Sequence, residues 1–156
     1  MTQPTNRQGG NQPQGRPTAE LPVARPVRYF DGGGNLRAEL VDEEAMECAK
    51  EFKKISSSQL RRFYEHVTGL RRRLDECPDN ERSGEFEKLR PEFKMLKAKA
   101  AYTASRDNRS RTALQPLLQF FIDHTAAVAT ERDFRAFCRH FEAVIAFHKF
   151  YAEKEQ

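Results

Sequence analysis

The sequence predicts an all-α protein, a compact bundle of about five helices behind a flexible N-terminal arm. Three observations predict it. From residue 42 onward apolar residues recur at helical spacing. Capping residues and prolines punctuate that pattern where helices would start and stop. No segment shows the strict alternation between hairpin turns that marks a strand. At 156 residues the chain suits one ordinary domain with one core. It is 38% hydrophobic and 32% charged, and 12 Phe with 4 Tyr supply large side chains to fill that core.

Residues 1–34 are expected to form a disordered arm and Gly-rich hinge, and residues 35–156 a single helical domain. In the arm, Pro4, Gly9, Gly10, Pro13, Gly15 and Pro17 lie among Gln, Asn, Thr and Arg. Such a stretch buries too little apolar surface to offset the entropy of ordering it. Arg7, Arg16, Arg25 and Arg28 outnumber Glu20 there, which suits either contact with an acidic partner or a solvated tail. Tyr29-Phe30-Asp31 followed by Gly32-Gly33-Gly34 marks a hinge or loop before regular structure.

Each helix then has its own signals. Asp42 is placed to cap a short first helix, with Glu43 and Glu44 in its first turn and Ala45, Met46, Ala49 and Phe52 along one face. Ser56 and Gln59 have the spacing of a capping box, and Leu60, Phe63, Tyr64, Val67, Leu70 and Leu74 follow on one face until Pro78. The third apolar series is Phe86, Leu89, Phe93, Leu96 and Ala100, running to about Arg106. Pro91 inside it either kinks one helix or opens a new one. A fourth helix carries Leu114, Leu117, Leu118, Phe121 and Ile122, with Pro116 expected near its start. Thr130 and Asp133 offer a cap for the last helix, which bears Phe134, Phe137, Cys138, Phe141, Val144, Ile145 and Tyr151.

The N-terminus lacks a signal-like apolar run and no window is apolar enough to span a bilayer, so a soluble, cytoplasmic protein is expected. Cys48, Cys77 and Cys138 never pair as Cys-x-x-Cys and are expected to be reduced thiols, with neither a disulfide framework nor a zinc knuckle.

Charge is unevenly spread. Residues 1–49 carry 5 basic and 7 acidic side chains, residues 50–112 carry 17 and 10, and residues 113–156 carry 5 and 6. The second and third helices therefore own a strongly basic region that the overall net charge of +4 understates. On the second helix Arg61, Glu65, Thr68 and Arg72 form one polar stripe, and Arg62, His66, Gly69 and Arg73 the adjacent one. Arg71 falls at the edge of the apolar face. On the third, Met95, Lys99, Tyr102 and Arg106 line up opposite the apolar face, so a ring sits between two cations. Guanidinium and ammonium groups neutralise phosphates, and a ring supports an unstacked base, which suits single-stranded nucleic acid. The alternative is an ordinary solvated face with Tyr102 packed under a neighbouring helix or subunit.

Catalytic signals are sparse. His66, His124, His140 and His148 match neither His-Glu-x-x-His nor Glu-x-x-His spacing, no Gly-x-Ser-x-Gly elbow occurs, and Gly32-Gly33-Gly34 lacks the Lys-Ser/Thr of a phosphate loop. No metal or cofactor is expected. Arg61 to His66 and Arg135 to His140 both read Arg-x4-His, which looks like the signature of HEPN ribonucleases, all-α enzymes that cleave RNA without metal. There a His would act as acid or base and an Arg would stabilise phosphate charge. The residue after Arg in that pattern is usually small and polar, whereas here it is Arg62 or Ala136.

Three stretches resemble a known family as a set. They are Ser58 to Tyr64 (Ser-Gln-Leu-Arg-Arg-Phe-Tyr), Leu96 to Tyr102 continuing to Arg106 (Leu-Lys-Ala-Lys-Ala-Ala-Tyr), and Phe141 to Lys149 (Phe-Glu-Ala-Val-Ile-Ala-Phe-His-Lys). In this order and spacing they look like the small subunit of the type III-A CRISPR effector, the Csm complex, over about residues 40–152. The sequence departs from the pattern at His148, where the family often has an aromatic ring, and in its long arm. The resemblance implies a non-enzymatic all-α subunit, present in several copies, lining the inner filament of a ribonucleoprotein. It would contact guide RNA paired with target RNA beside a large cyclase/polymerase-like subunit and repeat backbone subunits. By motif position it implies Arg61, Arg62, Lys97, Lys99, Tyr102 and Arg106 as RNA contacts. Lys99, Tyr102 and Arg106 also stand out in the helical projection. Glu142, in a stretch that is mostly core by spacing, is expected in an ion pair or subunit contact.

Overall fold

A computed structural model describes residues 20–152 of the chain. It contains five α-helices: α1 (Glu43–Glu51), α2 (Ser57–Asp75), α3 (Arg82–Ala104), α4 (Asn108–Ala127) and α5 (Glu131–Tyr151). Short 3₁₀ turns, Ala38–Val41 and Asp79–Glu81, precede α1 and α3. Among the described residues the only extended pairing is a single antiparallel bridge from Phe30 to Leu36.

Side-chain caps operate at three helix starts, at Ser56 and Thr130 as expected and at Asp107 besides. Ser56 Oγ accepts from the Gln59 amide at 3.2 Å, while the Gln59 side chain meets the Ser56 hydroxyl, not its backbone, so only half the capping box forms. Asp107 accepts from the Ser110 amide at 2.6 Å and starts α4. At α5 the box is complete: Thr130 Oγ1 accepts from Asp133 N at 3.1 Å, and Asp133 Oδ2 accepts from Thr130 N at 3.2 Å. Asp42 precedes α1 but its side chain makes no capping bond. Thr130→Ala removes an N-terminal acceptor from α5, which supplies Phe134, Phe137 and Phe141 to the core, and should cost about 1 kcal/mol. The check is a lower urea midpoint at an unchanged denaturant slope.

Both internal prolines are absorbed. Pro91 lies inside the single continuous helix α3 and opens no new one. Pro116 lies well inside α4, not near its start as expected, because Asp107 begins that helix two turns upstream of it. Each proline removes one ladder hydrogen bond, which the packing of the flanking turns has to outweigh.

α3 packs along α4, and α5 packs against both α1 and α2. One hydrophobic core joins all five helices. Phenylalanines dominate it: the Phe120 ring lies 5.2–5.8 Å from those of Phe52, Phe121, Phe137 and Phe141. Phe93 meets Phe134 edge-on at 5.3 Å. Offset and edge-to-face pairs of this kind add to simple area burial.

Residues 20–34 differ from the expected free arm and hinge. Tyr29 is buried, and its hydroxyl lies 2.7 Å from His124 Nδ1. Arg25 grips Asp123 with its backbone amide at 2.8 Å and its Nε at 2.9 Å. The segment is thus a strap laid across α4, held by groups almost a hundred positions away. The glycine turn that follows is ordered by Asp31, whose carboxylate accepts from Gly33 N and Asn35 N, and Arg132 stacks 3.9 Å over Phe30. Arg7 and Arg16 lie outside the described residues.

Candidate nucleic-acid interface

α2 and α3 leave an open groove of about 580 Å³ between them on the face away from the core. From α2 it takes Gln59, Arg62, Phe63 and His66, and from the α3 end Met95, Leu96, Lys99, Tyr102, Thr103 and Arg106. The helical projection therefore succeeds for α3: Met95, Lys99, Tyr102 and Arg106 share one wall. On α2 it is the Arg62–His66 stripe that faces the groove. Arg61 is exposed on another side of the helix and Lys97 is half-buried; neither lines the groove.

The floor is apolar and the rim cationic. Phe63 and Leu96, both buried core residues, lie at the base of the groove. Tyr102 does not pack beneath a neighbouring helix: it is 70% exposed, and Met95 beside it is 48% exposed. None of Arg61, Arg62, Lys97, Lys99 and Arg106 forms a salt bridge with a carboxylate among the described residues. Three of these cations converging on one groove repel each other, and an anion bound between them relieves that repulsion.

His66 holds Lys99 in place. Lys99 Nζ lies 3.0 Å from His66 Nδ1 across the helix pair. An ammonium only donates, so the ring accepts at Nδ1 and carries its hydrogen on Nε2, an atom buried without a partner. Burial and then the Lys99 charge lower the His66 pKa below its ordinary value, against the raising effect of Glu92. His66 is therefore a neutral acceptor that aims a lysine, a role with no local signature because the two residues are 33 positions apart.

The second Arg-x4-His pair does not form a site. His140 is buried and its Nδ1 donates to the Leu40 carbonyl at 2.5 Å, while Arg135 is tied to Asp75 and Glu131 at 2.9 and 2.6 Å. His148 is also buried, with Nε2 3.1 Å from the Phe52 carbonyl and 3.0 Å from that of Ile55, so it terminates α1 where an aromatic ring would only fill space. Glu142 is exposed and forms no salt bridge among the described residues. Burial pushes the Cys48 thiol pKa up, and that of Cys138 up to about 12; all three cysteines are free. No cluster of three or more His, Cys, Asp or Glu able to hold a metal occurs among the described residues. No described helix is long and apolar enough to cross a membrane.

Comparison with known proteins gives the groove a context. A protein from Enterococcus italicus described as CRISPR system Cms protein Csm2 is 29% identical over 101 residues, covering 64% of this chain and 70% of its own length. No solved structure matches the chain. The family model described as Csm2 Type III-A matches residues 35–154, which takes in all five helices. With three quarters of its residues described by that match, this chain belongs to the Csm2 family, the small subunits of type III-A CRISPR complexes.

Proposed function

We propose that this chain is a non-catalytic, RNA-binding subunit of its type III-A complex, lining the inner filament and contacting the backbone of guide RNA and target RNA. The supporting observation is the groove in which Arg62, Lys99 and Arg106 stand without carboxylate partners. Arg61 and Lys97, which lie outside the groove, and Tyr102 within it complete the proposed contacts. Such contacts go to phosphate and 2′-hydroxyl groups, so they need no base-reading side chains, and sequence selection is left to guide pairing. The partners in this reading are guide RNA, target RNA, the large cyclase/polymerase-like subunit, the repeat backbone subunits and further copies of the chain, in the cytoplasm.

The test is the salt dependence of RNA binding. Each phosphate contact contributes about 0.7–0.9 to the slope of log affinity against log salt. Replacing Lys99 and Arg106 together by alanine should weaken RNA retention and flatten that slope by about 1.4–1.8 units. Unchanged affinity and slope in this double variant would refute the reading. Both side chains are exposed, so the fold should survive the change.

A further inference from the structure

The groove contains more than a phosphate track requires. Cations alone suffice to follow a sugar-phosphate backbone, yet here an exposed tyrosine ring and an exposed methionine stand over an apolar floor of Phe63 and Leu96. Leaving the Tyr102 ring and the Met95 side chain open to water is unfavourable, and phosphate cannot cover them. The bases of a perfect RNA duplex cannot cover them either, because they are stacked inside and present only their edges and 2′-hydroxyls in the shallow groove. An unpaired nucleotide can, since its base has a free π-face.

Resting on the RNA-binding reading above, we propose that the α2–α3 groove is a seat for one unpaired nucleotide. Its base stacks on the Tyr102 ring against Met95, and its flanking phosphates lie at Lys99, Arg62 and Arg106. The volume of about 580 Å³ is in the range of small-ligand sites, and ample for a single nucleotide. Tyr102 stands one turn beyond Lys99, about 4.5 Å along the helix axis, so ring and ammonium present to neighbouring parts of one nucleotide. His66 fixes the ammonium by its 3.0 Å contact, so the cation is positioned before the ligand arrives. The seat is tolerant of base identity: stacking uses the ring face, and no side-chain amide or carboxylate other than Gln59 lines the groove.

The experiment compares a short single-stranded RNA carrying a fluorescent purine analogue with the same strand annealed to its complement. Both are titrated into the full chain and into the Tyr102→Ala and Tyr102→Phe variants at two salt concentrations. Tyr102→Ala should weaken single-strand binding about 5- to 150-fold, the range for loss of one stacked base, while leaving its salt slope unchanged. Tyr102→Phe should retain the affinity and the quenching of the analogue, and Tyr102→Ala should weaken duplex binding far less than single-strand binding. If Tyr102→Ala binds the single strand as tightly as the unaltered chain, or weakens strand and duplex equally, the nucleotide seat is wrong while the backbone contacts stand. If the unaltered chain binds neither RNA, both readings fall together. An acidic aromatic peptide that competes with the single strand, with no quenching of the analogue in its absence, overturns the seat in favour of a protein partner. Since Tyr102 is exposed, the variants' folding is checked by melting and should match the unaltered chain.

Discussion

Phe137→Ala is expected to destabilise the fold by about 3–5 kcal/mol, the usual cost of emptying a well-packed aromatic site. Phe137 is fully buried, and its ring lies 5.1 Å from that of His124, 5.3 Å from Phe93 and 5.8 Å from both Phe120 and Phe141. Those partners come from α3, α4 and α5 itself, and none can collapse into the space without dragging its own helix. A domain of this size has only about 5–15 kcal/mol to lose, so the variant should sit close to its unfolding transition. Phe150, 83% exposed near the end of the same helix, is the control: its alanine variant should stay within about 0.5 kcal/mol of the unaltered protein. Denaturant titration of the two variants checks both, and similar losses at the two positions would contradict the packing described.

Acid should unfold the protein earlier than its carboxylates alone would require. His124 and His140 lie with ring centroids 5.2 Å apart inside the core. Burial holds His124 well below its ordinary pKa, reinforced by the charges of His140 and Arg25. Burial also lowers His140, against the Leu40 carbonyl and Glu44, which favour its charged form. In the unfolded chain both titrate near pH 6.5. Because the folded values are lower, the unfolded state binds protons first as pH falls, so the stabilisation is complete above about pH 6.5 and is lost progressively below it. The loss approaches about 1.4 kcal/mol per pH unit for each histidine, or about 2.7 for the two. The melting temperature should therefore be flat from about pH 8 to about pH 7 and fall steeply by about pH 5.5. The buried Tyr29 hydroxyl is the local reporter of this step, because it can donate to neutral His124 Nδ1 but not to a protonated ring. A stability unchanged down to about pH 5.5 would mean that these rings take up protons without breaking the core.

How far the sequence reaches is visible at particular residues. Ser56, Thr130 and Asp133 act where their spacing placed them, since a cap reads only the next three positions of the chain. Met95, Lys99, Tyr102 and Arg106 share a groove wall as their spacing required. Asp107 caps a first two turns of α4 that are polar and lack the apolar periodicity of the turns after Leu114. The strap has the composition of a tail; what pins it is Asp123, a buried carboxylate whose partner Arg25 carries no local sign of its role. The same holds for His66, legible as a histidine near an arginine but not as the acceptor that steadies Lys99.

From its sequence alone this protein was determined to be an all-α bundle, with its helix faces, most of its caps and its basic middle section, because periodicity, capping and charge are properties of neighbouring residues. Only the tertiary structure decided that Arg62 joins Lys99, Tyr102 and Arg106 while Arg61 and Lys97 turn elsewhere, and that Arg25 and Tyr29 bind the strap to α4. The physical reason is rotational register. Successive helix positions point about 100° apart, so which of two adjacent arginines faces a neighbouring helix depends on how their ridges and grooves interlock. That fit is a sum of many weak contacts between residues far apart in the chain.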